Sequence, residues 1–397
     1  MDPHDESCAS SKASSFIKYD FVDHKKDEEH ARNINIILKK KGLNIDGCVT
    51  FVDTYGPLAA IICNILGLHG PGQHAAEVAK NKWSTYDALR TKRNNDHNFP
   101  ITGQYIVNCY NINNISDIDL AITYVGFPAV LKPETGSCGG GVKSIRDSRE
   151  CKYLYQKMKP KHGNNFALME FIDGTQHGVE IIIFQRKLIA AFVTDYGPTR
   201  ADRFTETSTT MPTCLPLNKE QQLITAAYQC CHGIDLVDGV FNVEMRMSPK
   251  GPKLIEINGR MPGYYIRDWV LACYGIDLLL YSFMTCLGIR PEITKPTPNF
   301  HILGMACVPS MHKEQLENSN ILDSIMSMKE RRIILYYQMR DTVGNCEEDE
   351  DEIPFCSLAV TESSLRNAKV KLKHVWDLVG LNTNDYDLNY FLKYFKH

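Results

Sequence analysis

A carboxylate and a carboxamide lie two residues apart in the apolar segment 253–260, and this pattern constrains the chain more than any other. Side chains alternate between the two faces of a strand, so Glu256, Asn258 and Arg260 share one face. A third acid, Glu244, ends another apolar run. Such oxygen ligands suit Mg²⁺, and the fixed donors of an arginine suit a phosphate. The pattern predicts a Mg²⁺·polyphosphate site, with solvated residues on an edge strand as the alternative.

Length, composition and charge narrow the class of protein. A chain of 397 residues is too long for one compact core, so two or three lobes are expected. Its 43% hydrophobic content is typical of a soluble globular protein. The net charge of -3 provides no basic footprint for nucleic acid and no polybasic patch for a membrane surface, so neither partner is expected.

The cysteines and the N-terminus indicate the compartment. The 14 cysteines are scattered through apolar runs, and none belongs to a C-x-x-C pair that would indicate zinc. Residues 1–15 are polar and acidic, which predicts a disordered N-terminus without the apolar region of a secretory signal. The longest hydrophobic stretch, residues 278–289, is too short to span a bilayer. Free thiols and a cytoplasmic location are therefore expected.

The order of predicted elements divides the chain into lobes. Residues 16–80 are predicted to form a short α/β lobe with helices at 28–41 and 57–66 and a strand at 47–53. Residues 301–397 are predicted to form a small antiparallel lobe. Its predicted elements are strands at 299–309, 333–337 and 354–360, a helix at 362–379 and a solvated acidic loop at 347–352. The elements predicted between these lobes are helices at 82–93 and 115–125 and strands at 103–109, 128–132 and 142–145.

A glycine-rich segment at 136–141 lies between the predicted strands 128–132 and 142–145. This strand, hairpin, strand order differs from the strand, loop, helix order of a P-loop. A glycine hairpin can close over phosphates as a lid, because its backbone N–H groups reach them. Lys132, which precedes the hairpin, then fits a phosphate partner. A flexible hairpin and a solvent-exposed lysine are the alternatives.

The segment 166–174 runs from an apolar strand into a turn, and a strongly apolar strand resumes at 179–184. Exposed backbone in such a turn offers a donor and an acceptor to the edge of a purine, and apolar neighbours can sandwich the ring. The segment therefore predicts an adenine slot, with an ordinary β-turn as the alternative.

The order of several of these motifs along the chain is more informative than any one of them. They are Asn81-Lys82, Lys132 with its glycine hairpin, Met169-Glu170, Glu244 and the Glu256-x-Asn258-x-Arg260 motif. This order resembles the ATP-grasp superfamily of carboxylate–amine ligases over residues 47–296. The resemblance implies an α+β, ATP-grasp fold in which two α+β lobes grip ATP. The ATP-grasp domain is expected at 81–300 with its lid at about 101–168, and the C-terminal lobe at 301–397 is expected to complete the ATP-grasp unit. Segments that look specifically like the carnosine synthase family are 188–200, 204–207, 211–213, 238–244, 254–258 and 265–269.

This resemblance implies an ATP-dependent dipeptide ligase. Its implied reaction joins the carboxylate of β-alanine, or a related ω-amino acid, to the α-amine of L-histidine through an acyl phosphate and releases ADP and phosphate. The implied cofactors are ATP and Mg²⁺ (or Mn²⁺), and the implied partners are small-molecule amino-acid substrates. The chain resembles the catalytic half of vertebrate carnosine synthases. Its oligomeric state stays open, a homo-oligomer included.

The resemblance also implies roles for individual residues. Lys132 and Arg260 match catalytic positions, and Glu244, Glu256 and Asn258 match metal ligands. The matching nucleotide contacts are Lys82, Lys132, Ser137, Gly139, Gly140, Gly141, Glu170, Phe171 and Ile172. The candidates for substrate contacts, which lie in segments that the family places near the amino-acid pocket, are Asp195, Arg200, Glu206, Arg267 and Asp268.

The chain departs from the family pattern at two positions. Gln176 stands where the family usually has a ribose-binding acid, with Glu180 further along the same strand, and the ribose contact is assigned to neither residue. Gly259 replaces the proline of a common Asn-Pro-Arg sequence. Neither change removes a charged group that the chemistry needs. Two other functions stay open, namely another acyl-phosphate enzyme of the superfamily, such as a carboxylase, and a nucleotide-binding pseudoenzyme.

Overall fold

The computed structural model describes residues 13–95, 102–134, 140–199, 204–294, 297–298, 300–340, 354–383 and 386–396. Of the predicted site residues, Ser137, Gly139 and Arg200 lie outside the described residues. The acidic run at 347–352 and most of the segment 1–15 also lie outside them. The described residues form an α+β fold with two antiparallel sheets.

The N-terminal part of the fold is helical. Its helices are α1 (Asp27–Lys40), α2 (Gly56–Leu66), α3 (Gln73–Lys80) and α4 (Lys82–Asn95). Ala31 of α1 packs against Leu58 and Ile61 of α2, and this small apolar cluster joins the two helices. The sequence pattern correctly predicts α1, α2 and α4 but not α3.

Residues 109–170 contain a small sheet. Its antiparallel strands are β1 (Cys109–Ile112), β2 (Ala129–Pro133), β3 (Lys143–Ile145) and β4 (Phe166–Glu170), in the spatial order β1-β4-β2-β3. Helices α5 (Ile118–Val125) and α6 (Ser148–His162) contribute to its core, in which Leu131, Tyr155 and Leu168 are buried. The predicted strand at 103–109 is wrong, because Thr102–Gln104 is a 3₁₀ turn and β1 begins only at Cys109.

A central sheet of eight antiparallel strands organises the rest of the chain. Its strands are β5 (Thr175–Phe184), β6 (Lys187–Tyr196), β7 (Ser208–Met211), β8 (Gly239–Ser248), β9 (Gly251–Asn258), β10 (His301–Cys307), β11 (Leu335–Gln338) and β12 (Cys356–Glu362). Their spatial order is β11-β12-β10-β7-β6-β5-β8-β9.

Helices cover both faces of the central sheet. Helix α7 (Leu217–Gly233) packs on the face that carries Val179 and Val243. Helices α8 (Ile266–Tyr274) and α9 (Leu278–Cys286) lie toward the opposite face, where Trp269 joins Ile182 and Phe192 in one core. Within the described residues, no single helix has both the length and the apolar composition to cross a membrane, and only the bent pair α8 and α9 meets both conditions when counted together.

The C-terminal strands extend the central sheet. Strand β10 pairs with β7, which places Ile302 opposite Met211, and β12 pairs with β10 along its whole length. Helices α10 (Pro309–Leu316), α11 (Ser319–Glu330), α12 (Leu365–Leu378) and α13 (Leu388–Leu392) surround a second core that contains Trp376 and Tyr386. The predicted strands are antiparallel, as expected, but they are continuous with the central sheet and do not form a sheet of their own.

The predicted strand at 47–53 is wrong, and so is the α/β character of the N-terminal lobe within residues 13–95. The segment is extended at Val52 but belongs to neither sheet of the described residues. It packs on α9 instead, since Phe51 and Phe283 meet edge to face with ring centres 6.2 Å apart. A Cβ at Gly47 would lie 2.9 Å from the backbone oxygen of Cys286. This segment therefore contacts a helix and not a neighbouring strand, and Val49, Phe51 and Val52 stay partly exposed.

Trp269 of α8 is fully buried, and its ring centre lies 4.6 Å from that of Tyr265. The change Trp269→Ala removes this packing and leaves a cavity, so we expect the free energy of unfolding to fall by about 3–5 kcal/mol. Leu271 lies on the same helix but is 41% exposed, and Leu271→Ala should cost less than about 1 kcal/mol. Urea denaturation followed by circular dichroism measures both changes. Equal losses would contradict the assigned role of Trp269.

Candidate active site

A cavity of about 620 Å³ lies between the small sheet, the central sheet and the start of α4. Its volume is within the range of small-molecule sites. The structure brings most of the described candidate residues to the wall of this cavity. They are Lys82, Lys132, Gly140, Glu170, Phe171, Ile172, Glu206, Glu244, Glu256, Asn258 and Arg260.

Four polar side chains of β8 and β9 share one face and line the cavity. The strands are antiparallel, with Asn242 opposite Asn258 and Glu244 opposite Glu256. The motifs Asn242-x-Glu244 and Glu256-x-Asn258 are mirror images in sequence, so antiparallel pairing in this register places amide opposite amide and acid opposite acid. The period of two along each strand then turns all four side chains the same way. The sheet thus builds a compact oxygen-rich patch from two local motifs.

Lysines from two other elements approach the acid pair. Lys82, at the start of α4, places its Nζ 3.0 Å from Glu256 Oε2. Burial alone would raise the pKa of Glu256, but Lys82 and Lys132 hold this pKa below its usual value. Burial, followed by the charges of Glu256 and Glu206, raises the pKa of Glu244 well above its usual value. The two carboxyl groups therefore form a site at which the binding of an additional cation is electrostatically favourable.

The two lysines form a cationic end of the cavity. Lys132 on β2 is buried, and burial lowers its pKa although Glu256 opposes that shift. The charge of Glu256 raises the pKa of Lys82 against the effect of its burial. A buried ammonium group needs an anionic partner to offset its desolvation. Lys82 and Lys132 are thus placed to receive anionic oxygens in addition to the carboxylate of Glu256.

Glu244, Glu256 and Asn258 fit a Mg²⁺ ion. They offer hard oxygen donors, and two carboxylates with one amide leave the rest of an octahedral shell to phosphate oxygens and water. Within the described ranges, no group of three or more His, Cys, Asp or Glu side chains could hold a metal ion by itself. The donor set therefore suits a metal that arrives together with a polyphosphate.

Arg260 is held at the cavity wall by a residue of the N-terminal segment. Its Nη2 and Nε lie 2.6 and 2.9 Å from Asp53 Oδ2, and its Nη1 donates to the backbone oxygen of Met261 at 2.9 Å. Asp53 also lines the cavity. The sequence offers no local signal for this pair, because Asp53 and Arg260 are far apart along the chain. The contact fixes the plane of a guanidinium group that faces the cavity.

The turn after β4 forms the opposite end of the cavity, and Arg246 of β8 supports it. Arg246 Nη1 donates to the backbone oxygen of Ile172 at 3.1 Å, and its guanidinium lies 5.8 Å from the ring centre of Phe171. Arg246 and Gln176 both line the cavity. The position of Arg246, two residues after Glu244, is the signal from which it could be predicted. Phe171 N–H also donates to the backbone oxygen of Pro128 at 3.0 Å, so these bonds fix the shape of the turn where the sequence predicts an adenine slot.

Glu206 is the one substrate candidate among the described residues that lines the cavity. Burial, and then the nearby charge of Glu256, raise the pKa of Glu206 to about 7. A carboxyl group that titrates near neutral pH can accept or donate a proton under physiological conditions. Its position and its pKa both suit proton transfer within the cavity.

Asp195 does not reach the cavity, contrary to the prediction. The next residue, Tyr196, lines the cavity, and neighbouring side chains of β6 point to opposite faces. On the other face, Asp195 accepts hydrogen bonds from Thr213 Oγ1 at 2.5 Å and from the backbone nitrogen of Cys214 at 2.6 Å. His177 Nδ1 lies 2.8 Å from the same carboxylate. Asp195 therefore ties buried elements together.

Arg267 and Asp268 also lie away from the cavity wall. Arg267 donates from Nε and Nη2 to the two carboxylate oxygens of Asp277, each at 2.9 Å. Asp268 lies 3.7 Å from Arg267 and is half exposed. Both side chains belong to a surface ion-pair network with Asp277, near the N-terminal ends of α8 and α9. The surrounding sequence gives no signal for this network.

Comparisons with known proteins show the family to which this chain belongs. A family model described as an ATP-grasp domain matches residues 79–264. Carnosine synthase 1 of Homo sapiens is 34% identical over 402 residues, which cover 98% of this chain and 48% of the human protein. Carnosine synthase 1 of Mus musculus is 35% identical over 404 residues, with the same shares covered. The chain thus spans about half the length of the curated relatives it matches.

Solved structures with low sequence identity share the fold. An L-amino acid ligase from Bacillus licheniformis has a TM-score of 0.69 at 16% identity, with 88% of this chain and 83% of that chain covered. An N5-carboxyaminoimidazole synthetase from Staphylococcus aureus, solved with ADP, has a TM-score of 0.68 at 12% identity, with 94% and 88% covered. The matched domain, the relatives and the fold together show that the chain belongs to the ATP-grasp superfamily.

Proposed function

We propose that the chain is an ATP-dependent carboxylate–amine ligase that forms a dipeptide through an acyl phosphate. One observation carries this proposal. The acid pair Glu244 and Glu256 lies beside Lys82 and Lys132 in one cavity, which suits a metal-bound polyphosphate. Glu206, a carboxyl group that titrates near neutral pH, lies in the same cavity and suits the handling of an amine proton.

The first step transfers a phosphoryl group. A carboxylate oxygen of one amino acid attacks the γ-phosphorus of ATP, and ADP leaves with the electrons of the broken P–O bond. Lys132 and Arg260 stabilise the charge on the transferred oxygens, and Lys82 helps to hold the phosphates in line. A Mg²⁺ ion held by Glu244, Glu256 and Asn258 supplies further neutralisation of phosphate charge when bound. Catalysis in this step is positioning and electrostatics.

The second step forms the amide bond. The α-amine of the second amino acid attacks the acyl carbon, and phosphate leaves with the electrons of the C–O bond. The attacking nitrogen loses a proton, which the carboxylate of Glu206 accepts. A pKa of about 7 keeps a substantial fraction of Glu206 ionised at neutral pH and leaves it basic enough for this role.

The substrate pair in this proposal is the one that the family resemblance implies, β-alanine or a related ω-amino acid and L-histidine. Tyr196, Phe204, Tyr264 and Tyr265 line the cavity together with Glu206. Aromatic rings of this kind can stack on an imidazole. We therefore propose that the aromatic wall favours histidine over aliphatic amino acids as the acceptor.

An assay with ATP, Mg²⁺, β-alanine and L-histidine tests the reaction directly. We expect phosphate release that depends on both amino acids and a dipeptide that mass spectrometry identifies. Leucine in place of histidine serves as the control for acceptor choice and should give less product. No release across a panel of ω-amino and α-amino acids would overturn the ligase proposal. Turnover that needs bicarbonate and no amine would instead indicate a carboxylase.

Glu256→Gln removes one carboxylate from the metal site without a change in side-chain size. We expect kcat/KM to fall by about 100-fold or more, and the midpoint of thermal unfolding to change little, because loss of the partner of Lys82 is offset by relief of the repulsion with Glu244. Glu330, at the exposed end of α11, provides the matched control, and Glu330→Gln should keep full activity. Near-normal activity in Glu256→Gln would refute the metal assignment.

Glu206 must be ionised to accept the amine proton, so its titration should appear in the pH dependence. Its pKa is raised to about 7 by burial and by Glu256. We therefore expect kcat/KM to rise with pH through about 7, and Glu206→Gln to lower kcat by about 100-fold or more and to remove this limb of the profile. The same limb at the same midpoint in the variant would show that another group accepts the proton.

A further inference from the structure

Three polar side chains on neighbouring strands form a hydrogen-bonded row that reaches the proposed metal site. Glu180 of β5 lies opposite Asn242 of β8, which lies opposite Asn258 of β9. Asn258 Nδ2 lies 2.7 Å from Asn242 Oδ1, and Asn242 Nδ2 lies 3.0 and 3.2 Å from the two carboxyl oxygens of Glu180. Glu180 is 0% exposed, so the row begins in the interior and ends at the cavity wall.

The acid at the buried end sets the direction of the whole row. A carboxylate only accepts hydrogen bonds, so Asn242 turns its amino group toward Glu180 and its oxygen toward Asn258. Asn258 then donates from its amino group, which leaves its own oxygen for the cavity. Burial raises the pKa of Glu180 to about 8. The ionised acid imposes this direction, and the neutral acid retains one oxygen that accepts from Asn242 in the same way.

The direction matters because a metal binds a carboxamide through oxygen. The two ends of a carboxamide have nearly the same size and shape, so hydrogen bonds and not packing decide which end faces a given position. An Asn258 turned the other way would present N–H groups to the cation. Burial of an acid is also costly, and an apolar residue in place of Glu180 would pack without that cost. Packing alone does not account for the row.

We propose that Glu180 and Asn242 are positioning residues that hold the oxygen of Asn258 toward the Mg²⁺ site, an inference that rests on the proposed function. Neither residue contacts the metal or a substrate in this proposal. Hydrogen-bond partners behind a metal ligand fix its orientation, and their loss typically weakens metal binding or activity by about 10–100-fold.

Metal binding without turnover provides the test. Glutamine matches glutamate in size but can turn either an oxygen or an amino group toward Asn242, so Glu180→Gln no longer sets the direction. We expect Mn²⁺ binding in the presence of ADP to weaken by about 10-fold in Glu180→Gln and by up to about 100-fold in Glu180→Leu. Electron paramagnetic resonance of free Mn²⁺ measures this binding. The affinity for ADP in EDTA should be unchanged, which a general loss of structure would not allow.

Thr194 offers a matched control on the same face of the sheet. It lies on β6 opposite Gly178, two residues from Glu180, and is fully buried. Its hydroxyl has no hydrogen-bond partner within the described residues. Thr194→Val changes a buried polar group near the row without altering the row itself. This variant should bind Mn²⁺ with the affinity of the wild-type protein.

Two results would overturn the proposal in distinguishable ways. Unchanged Mn²⁺ binding in both Glu180 variants, with a clear loss in Asn258→Ala, would remove the positioning role and leave the proposed function standing. Failure of the wild-type protein to bind Mn²⁺ with ADP would remove the metal site and the positioning role together.

A second pair of variants keeps the test decisive if the Glu180 variants do not fold. Asn242→Asp retains an oxygen that accepts from Asn258, whereas Asn242→Leu retains none. Positioning therefore predicts Mn²⁺ binding within a few-fold of wild type for the aspartate and a loss of at least about 10-fold for the leucine. Equal Mn²⁺ binding by the two variants would overturn the role of Asn242.

Discussion

The opposition of Glu244 and Glu256 across β8 and β9 is the interaction on which the site depends. Like charges that face each other across a ladder destabilise a sheet unless opposite charges compensate them. The compensation comes from outside these strands. Lys82 approaches from the start of α4, with its Nζ 3.0 Å from Glu256, and Lys132 from β2 of the small sheet. A local pairing of two strands is therefore stabilised only where three parts of the fold converge.

A hydrogen bond next to the two lysines holds α4 and β2 together. Asn81 accepts a hydrogen bond from the backbone nitrogen of Ser84 at 2.8 Å, as a residue that begins a helix does, and its side-chain amide donates to Glu134. Asn81 directly precedes Lys82, and Glu134 follows Lys132 by two residues. The contact thus joins α4 to the end of β2 and sets the spacing of the two lysines. Backbone placement, more than the reach of flexible side chains, brings both charges to the acids.

Features that local sequence patterns encode could be predicted from the sequence. Contacts between residues that are far apart along the chain could not. Strands β8 and β9 carry clear apolar periodicity, and their polar residues could be assigned to one face in advance. The mirrored Asn242-x-Glu244 motif even encodes the register, once the strands are taken as antiparallel. The segment 47–53 has the same kind of pattern, but it packs against a helix far along the chain and pairs with no strand of the described residues. Asp195 is a substrate candidate only through its segment, and its side chain points away from the cavity that Tyr196 lines, because neighbouring residues of a strand face opposite ways. The row behind Asn258 needs β5, β8 and β9 in register, which one sequence does not provide.

The charges of the proposed site favour a metal and a polyphosphate together over either component alone. A free polyphosphate would be repelled by the charge of Glu256, and a free divalent cation would be repelled by Lys82 and Lys132. When both bind, the cation neutralises the acid pair and the phosphates neutralise the lysines, including the charge that Lys82 otherwise shares with Glu256. The few protein ligands then become an advantage, because a complete protein shell would hold a metal without the nucleotide. In the proposed site, affinity for the pair would follow from the close approach of both signs of charge, and the proposed role of the buried row of hydrogen bonds is to orient one oxygen.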